Sequence, residues 1–395
     1  MKAITKLTGI LLVATILFTG CSLTDGGNAP QSSATPQVQE EDVVICRVGE
    51  RTILRSQFEH IFSFYEQMYG QYFSDETFLH QLQDMVFENL VQAEVINLQA
   101  ELQGLTLTAE EEQAIQDQLD TEYESLLSIF RQRGEQEGVQ DVEAYALEAM
   151  EQALANQGTS TSQYFETLEK DLRKVQLMEK LQQPIYSGIT LSEEEALAQF
   201  QQDLEEQTKR YMETPSQFQA DQENFEKSGG IPPLYVPEGF RRVKHILIKS
   251  ADGVDALAIS NDLYTQLTEE EADFDALMEE YGEDGGMQVE PNKSMGYLMN
   301  KDTSFVPEFL EAALNLEHVG DITEPVKTDY GYHIIKLVSL LPSGPKTFEE
   351  LKDVYMEGLL SQRQSAAFQE AVAQWREETD VESHVDLIRD IGAVE

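Results

Sequence analysis

The sequence contains the run RVKHILI at residues 242–248, which starts with alternating polar and apolar side chains. This period of two predicts a half-buried β-strand. A second run, YHIIKLV at 332–338, has the same strand character. The intervening chain is predicted to form helices over 255–267, 274–281 and 307–316 and a short strand over 295–299. Residues 238–342 are therefore predicted to form a mixed α/β domain.

The chain before this domain has a helical pattern. From about residue 56 to 227, apolar residues recur at spacings of three and four, with few prolines or glycines inside the segments. Thr108 with Glu111, and Ser192 with Glu195, fit the capping box, in which a hydroxyl and a carboxylate satisfy free amide groups at a helix start. We therefore expect new helices to begin at these two places.

The chain after the domain is also predicted to be helical. GGIPP at 229–233 ends the first helical region, because glycine and proline disfavour helix interiors, and we place a boundary near residue 237. Helical periodicity returns from 348 to about 378, and this tail is expected to pack on the N-terminal helices. The predicted fold class is α+β. Its parts are a helical domain over 43–237, the inserted mixed α/β domain over 238–342 and C-terminal helices over 343–395.

The first twenty residues have the features of an export signal. Two lysines give a positive start, and the apolar run at 10–18 is too short to span a bilayer stably. The run ends in LFTGC at 17–21, which resembles a bacterial lipobox whose cysteine, Cys21, is lipidated and becomes the mature N-terminus. An uncleaved membrane anchor is the alternative. The polar segment 21–42 is typical of a flexible tether.

The charge balance and the cysteines limit the function further. The chain has 73 Asp and Glu residues against 27 Lys and Arg, a formal net charge of −46. Such a surface repels phosphate backbones, so we expect no nucleic-acid partner, whereas basic clients or cations would be attracted. If Cys21 is lipidated, Cys46 has no intramolecular disulfide partner. Cys46 lies in a β-like run and is predicted to be a small buried side chain.

Several common chemistries have no starting motif in this sequence. The six histidines lack the spacing of a zinc-binding helix, and we expect no metal. The sequence has no glycine-rich phosphate loop, no nucleophile elbow and no dinucleotide fingerprint, so no cofactor is expected. A solute-binding lipoprotein is disfavoured as well, because the two-lobed α/β pattern of that class is missing.

The region from about 240 to 341 resembles the parvulin family of prolyl isomerases. The matching motifs stand in order: VKHILI at 243–248, YGED at 281–284, MGYL at 295–298, FVPEF at 305–309, GDI at 320–322, and EPVKT at 324–328 leading into GYHII at 331–335. Each motif alone is weak, but their order and spacing over about a hundred residues are specific.

The resemblance implies a polar centre for the site. His245 and His333 match the paired histidines of parvulins, with Thr328 nearby to hold the imidazole tautomers by hydrogen bonding. Asp284 falls where family members carry either cysteine or aspartate. We expect it to tune the histidine pair as a neutral or hydrogen-bonded carboxylate, without a covalent step.

The resemblance also implies an apolar pocket that holds the substrate proline ring. Met295, Phe305 and Phe309 match the pocket residues of the family, and Tyr330 sits where many relatives have Phe or Ser. For Phe305 and Phe309 the alternative is simple core packing at positions i and i+4 of a helix.

The sequence departs from the parvulin pattern in two places. NKSMGY at 292–297 replaces the usual GGDLGW, and GGM at 285–287 replaces the commoner PGS. These changes alter the expected shape of the pocket. No arginine cluster follows the first strand, so selectivity for phosphorylated Ser-Pro or Thr-Pro is not expected.

The flanking helices resemble, more weakly, the chaperone domain of SurA and PrsA-like foldases. Residues 44–54 match the hairpin before the first helix of that domain, and the helix after 345 matches its closing segment. The resemblance implies an extracytoplasmic peptidyl-prolyl cis/trans isomerase and chaperone, anchored by Cys21 on the cell membrane and acting on exported polypeptides that contain X-Pro bonds. A homodimer is compatible with this class. The alternative function is a holding chaperone whose parvulin fold binds peptide without catalysis.

Overall fold

The structure, a computed structural model, describes residues 42–251 and 253–393. The predicted signal peptide, Cys21 and nearly all of the predicted tether lie outside the described residues. The fold below is that of the compact unit that begins at Val44. Across the described ranges, no helix is both long and apolar enough to cross a bilayer.

The unit opens with an antiparallel hairpin of β1 (Val44–Val48) and β2 (Arg51–Leu54). Cys46 is buried in β1, as predicted. Helices follow along the chain: α1 (Arg55–Tyr69), α2 (Glu76–Leu102), α3 (Ala109–Gln136), α4 (Val142–Asn156), α5 (Thr161–Ser187), α6 (Glu193–Glu213) and α7 (Pro215–Ser228).

Capping boxes mark the starts of several of these helices. The Thr108 hydroxyl accepts the Glu111 amide at 3.2 Å, and the Glu111 carboxylate accepts the Thr108 amide at 2.7 Å. Ser192 and Glu195 form the same pair of bonds at the start of α6. Both boxes predicted from the sequence are therefore confirmed, and each satisfies amide groups that a helix start leaves free.

A second group of elements forms the mixed α/β segment. They are β3 (Tyr235–Val236), β4 (Arg241–Lys249), α8 (Ala256–Glu269), α9 (Phe274–Tyr281), α10 (Asn292–Met295), β5 (Tyr297–Met299), α11 (Pro307–Leu314), β6 (Val326–Thr328), β7 (Gly331–Leu340) and β8 (Gly344–Pro345). Four of the strands form an antiparallel sheet in the order β5-β4-β7-β6.

Strand β4 differs from its prediction in its burial. Every residue from Arg242 to Ile248 is buried, so the strand is not half-exposed. The reason is that helices cover both faces of the sheet. Ile246 and Ile248 pack with residues of α8 and α9, whereas Val243 packs with Phe309 of α11. The polar side chains of β4 are therefore held inside the protein, where each needs a partner.

The last long helix is α12 (Phe348–Glu378), and the last strand is β9 (Val381–Ser383), which pairs with β1 and precedes a 3₁₀ turn at Val385–Ile388. Phe368 and Val372 of α12 form a buried cluster with Ala100 of α2 and Leu181 of α5. The expected return of the C-terminal helix to the N-terminal helices is thus seen in the contacts. The mostly helical chain with one mixed sheet segment agrees with the predicted α+β class.

Candidate active site

The pairing of β4 with β7 brings two histidines together. His245 lies opposite Ile335 and His333 lies opposite Leu247, so the two histidines are diagonal neighbours on one face of the sheet. Their Nδ1 atoms are 3.0 Å apart, and both side chains are buried. The rings stack with centroids 5.2 Å apart and an angle of 22° between their planes.

Asp284 closes one end of the histidine pair. It precedes a short 3₁₀ turn at 285–288, and the neighbouring Glu283 amide donates to the Leu247 carbonyl of β4 at 2.9 Å. The Asp284 Oδ2 atom is 2.7 Å from His245 Nε2, and Oδ1 accepts the Gly286 amide at 3.0 Å. The hydrogen bond from His245 lowers the pKa of Asp284 to about 2, although burial opposes this shift. The carboxylate is therefore ionised at neutral pH, and the neutral form considered from the sequence is not favoured.

Thr328 closes the other end of the pair. It is the last residue of β6, and its Oγ1 atom is 2.8 Å from His333 Nε2. The Tyr330 amide donates to the same oxygen at 3.2 Å, so the hydroxyl proton is left to point at the imidazole. Burial, with a smaller contribution from His245, lowers the pKa of His333 to about 4. His333 is accordingly neutral at physiological pH.

These hydrogen bonds assign one tautomer to each imidazole. The ionised Asp284 can only accept, so His245 donates from Nε2, and in the singly protonated ring this leaves Nδ1 as an acceptor. His333 then donates from Nδ1 to His245, and its Nε2 accepts the Thr328 hydroxyl. The four side chains form a directed line from a neutral hydroxyl to a carboxylate.

An apolar wall stands beside the imidazoles. Phe309, buried on α11, meets the rings of His245 and His333 edge-on at centroid distances of 5.1 and 5.3 Å. Phe305 is partly buried and packs on Phe309 at 5.2 Å and on Tyr297 at 5.7 Å. Phe309 thus belongs to the core as well as to the site, whereas Phe305 is only partly buried.

Two residues predicted for the pocket lie further out. Met295 ends α10 with 38% of its surface exposed, and Tyr330 is 63% exposed in the turn between β6 and β7. Pocket lining by these two side chains stays a prediction.

Tyr297 is a site residue that the sequence reasoning missed. It lies two residues after Met295, and its hydroxyl donates to Asp284 Oδ2 at 2.9 Å. A Cβ atom added to Gly286 would come within 2.1 Å of the Tyr297 hydroxyl, so the glycine is needed for the tyrosine to reach the carboxylate. The sequence feature that could have identified Tyr297 is its position in the altered segment 292–297, where the usual parvulin segment has tryptophan.

The arrangement suits the binding of an apolar ring beside a fixed polar line. The Asp284 carboxylate is held in place by the hydrogen bonds that it accepts from His245, Gly286 and Tyr297. In the part of the chain that the structure describes, no group of three or more His, Cys, Asp or Glu side chains could hold a metal ion.

Comparison with known proteins identifies this segment. Residues 245–339 match the family model of the PPIC-type PPIase domain, also called rotamase. The segment is therefore a parvulin-type peptidyl-prolyl isomerase domain, as its motifs indicated. Over nearly its whole length, the chain is similar to a foldase protein PrsA.

The relatives match over different lengths. The PrsA foldase of Clostridium botulinum strain Langeland is 28% identical over 142 residues, which is 36% of this chain and 40% of the relative. PrsA 3 of Bacillus anthracis is 33% identical over 144 residues, 36% of this chain and 44% of the relative. The PrsA foldase of Clostridium perfringens strain 13 is 22% identical over 401 residues, 99% of this chain and 98% of the relative. The two matches with the higher identities thus cover less than half of the length of those relatives.

Solved structures with a similar chain include two of nearly full coverage. The crystal structure of PrsA from Bacillus subtilis covers 90% of this chain and 100% of its own, at 17% identity and a TM-score of 0.30. A SurA-like chaperone from Campylobacter jejuni covers 87% of this chain and 99% of its own, at 12% identity and a TM-score of 0.34.

Proposed function

We propose that this chain is a foldase that catalyses cis/trans isomerisation of X-Pro bonds in exported polypeptides and holds them while they fold. The observation that carries the proposal is the line of hydrogen bonds through Asp284, His245, His333 and Thr328, lying against Phe309 inside the isomerase domain. The name foldase that its PrsA relatives carry supports the same role.

The reaction needs little chemistry beyond binding. Rotation about an X-Pro bond faces a barrier of roughly 18–20 kcal/mol because amide resonance must be broken, and the uncatalysed step takes about 10–100 s at 25 °C. The twisted amide of the transition state has a less polar carbonyl than the planar amide. A dry pocket therefore favours the transition state over the ground state.

The site residues divide this work between them. Phe305 and Phe309 hold the proline ring, while His245 and the neutral His333 provide a rigid polar surface beside the turning amide. Their tautomers are fixed from both ends, so the site does not need to reorganise during the rotation. Asp284 serves as the charged end of the line and forms no bond to the substrate.

The first experiment compares X-Pro isomerisation by the unlipidated chain of residues 22–395 and its His245→Ala variant in a coupled-protease assay with short peptides. His318→Ala is the matched control, because His318 lies in the same domain with its side chain 80% exposed. We expect acceleration by the unlipidated chain and the control, and a loss of acceleration in His245→Ala. If none of the three accelerates the reaction but aggregation of a client is still suppressed, the chain is a holding chaperone.

The proposal also divides the chain into two functional parts. Residues 43–237 and 343–395 would form the chaperone domain, and 238–342 the isomerase domain. The cluster of α12 with α2 and α5 and the pairing of β3 with β8 support this division. Limited proteolysis should cut first near residues 237 and 342, and early cutting inside α12 would contradict it.

We place the protein on the outer face of the cell membrane, held by a lipid on Cys21. The motif LFTGC at 17–21 and the polar segment behind it support this location. Mass spectrometry of the membrane fraction should find the acylated cysteine, and an unmodified thiol there would exclude the anchor. Sedimentation of the purified chain tests whether it forms a homodimer.

A further inference from the structure

A buried ion pair connects the isomerase strand β4 to helix α7. Arg242 of β4 contacts the Glu226 carboxylate of α7, and the two side chains are only 9% and 6% exposed. Gln222, one turn earlier in α7, donates to Glu226 at 2.6 Å. Burial lowers the pKa of Lys346, and the negative charge of Glu226 partly offsets this shift. Glu226 is thus a carboxylate that pairs with Arg242 and acts on Lys346, and it lies outside the matched domain of residues 245–339.

The same arginine reaches the strand that carries Tyr297. Arg242 Nη1 donates to the Gly296 carbonyl at 3.0 Å in a buried hydrogen bond. Gly296 has a φ of +80°, and a Cβ atom there would lie 2.7 Å from the Val243 carbonyl oxygen. Only glycine fits this close approach. Arg242 therefore holds the point at which the backbone turns into β5.

Helix α7 also contacts β5 and the residues that follow it. Phe218 of α7 packs on Phe240 at 4.7 Å, in a buried cluster that includes Leu298 of β5. Thr303 donates to the Gln219 side chain of α7 at 3.0 Å. The segment from Leu298 in β5 to Thr303 is thus held by α7 at both ends, and Tyr297 directly precedes it.

Tyr297 connects this segment to the hydrogen-bonded side chains of the site. It pairs with Val243 of β4 in the sheet, and its hydroxyl donates to Asp284. Asp284 in turn accepts from His245. A continuous set of contacts therefore runs from Glu226 to the histidine pair.

We propose that Glu226 is a positioning residue of the isomerase site: through Arg242 and Gly296 it sets the place of Tyr297 and hence of Asp284. The proposal rests on the proposed isomerase function. Its physical basis is that removing one partner of a buried ion pair leaves the other charge uncompensated. Without Glu226, Arg242 turns toward water or another acceptor and releases the Gly296 carbonyl.

The test compares Glu226→Gln with Glu223→Gln in the purified full chain. Glu223 lies one turn away on α7 with its side chain 38% exposed, so it controls for the same chemical change. Isomerisation is followed by exchange NMR on X-Pro peptides, and the imidazole resonances of His245 and His333 are recorded. We expect Glu226→Gln to lower kcat/KM roughly threefold to tenfold and to move both imidazole signals. Glu223→Gln should change neither, and Glu226→Asp should recover part of the loss.

A double variant tests the route. If the effect passes through Tyr297, Glu226→Gln should add little to the loss already caused by Tyr297→Phe. Full additivity, or a folded Glu226→Gln variant with unchanged kcat/KM and unchanged imidazole signals, would overturn the proposal. If the unmodified chain does not accelerate isomerisation, the proposed function fails, and the imidazole signals alone then decide whether Glu226 positions the site.

Discussion

Thr328 Oγ1 lies 2.8 Å from His333 Nε2, at the opposite end of the histidine pair from Asp284. The hydroxyl is the first donor in the row of hydrogen bonds that passes through His333 and His245 to Asp284. The position of the proton on each imidazole depends on the preceding hydrogen bond. Because both imidazoles are buried and cannot exchange partners with water, a change at one end should reach the other.

The first prediction concerns this hydroxyl. Thr328→Val keeps the shape of the side chain and removes the donor, so His333 Nε2 is left without its partner. We expect kcat/KM for X-Pro peptides to fall about fivefold, the equivalent of roughly 1 kcal/mol for one hydrogen bond. Nitrogen chemical shifts of both imidazoles should show mixed tautomers. Unmixed tautomers in Thr328→Val would mean that Asp284 alone fixes them.

The second prediction concerns the stability of the protein at acid pH. Burial lowers the pKa of His333 to about 4 from its ordinary 6.5, so between these values the unfolded chain binds a proton that the folded chain does not. The His333 contribution to the free energy of unfolding should therefore be full above pH 6.5 and decrease as the pH falls toward 4. A loss of about 1–3 kcal/mol is expected.

Urea unfolding at pH 7 and pH 4.5 measures this loss. His333→Asn should have a smaller difference between the two pH values, whereas the exposed His60→Asn should behave like the unmodified chain. Asp284 affects the free energy of unfolding at lower pH. Its depressed pKa contributes stability that is lost only as the pH falls below 3.8 and through about 2. Equal pH slopes in the unmodified chain and His333→Asn would refute the role of His333.

The third prediction separates the two aromatic residues of the apolar wall. Phe309 is fully packed against both imidazoles, so Phe309→Ala should lower the free energy of unfolding by about 3–5 kcal/mol. Phe305 is only partly buried, so Phe305→Ala should cost less stability and mainly raise KM. Chemical denaturation and peptide titrations distinguish the two. A large stability loss with unchanged KM in Phe305→Ala would assign that residue to the core alone.

The fourth prediction concerns Tyr297. Its hydroxyl helps to hold the pKa of Asp284 low, so Tyr297→Phe should raise that pKa. The acid limb of the activity profile should move to higher pH, and kcat/KM should fall about fivefold at neutral pH. Carboxyl NMR titration of Asp284 measures the shift directly. An unchanged titration would show that His245 and the Gly286 amide suffice to keep the carboxylate ionised.

Much of the local structure could be predicted from the sequence. The long helix at 348–378 has the predicted ends, and the runs around His245 and His333 are strands, because each pattern extends over enough residues to be unambiguous. The order of short motifs selected Asp284, His245, His333 and Thr328. The structure brings these four within hydrogen-bonding distance.

Other features depend on tertiary contacts that leave no local pattern. The burial of β4 on both faces comes from α8, α9 and α11, which lie elsewhere in the chain. The predicted strand at 295–299 begins at Tyr297 because Gly296 has a positive φ. The ion pair of Arg242 with Glu226 joins two elements whose facing surfaces are not apparent from either segment alone.

The short pairing of β3 with β8 has a consequence for how this chain could have been assembled. Val236 and Gly344 are directly opposite each other, so the polypeptide leaves the helical framework and rejoins it at almost the same point. A gene segment encoding 237–343 could therefore be gained or lost with only a short bridging peptide, without separating α12 from its neighbours. Such a deletion would still uncover Glu226, and a shortened protein would have to supply that carboxylate with a new cation or replace it.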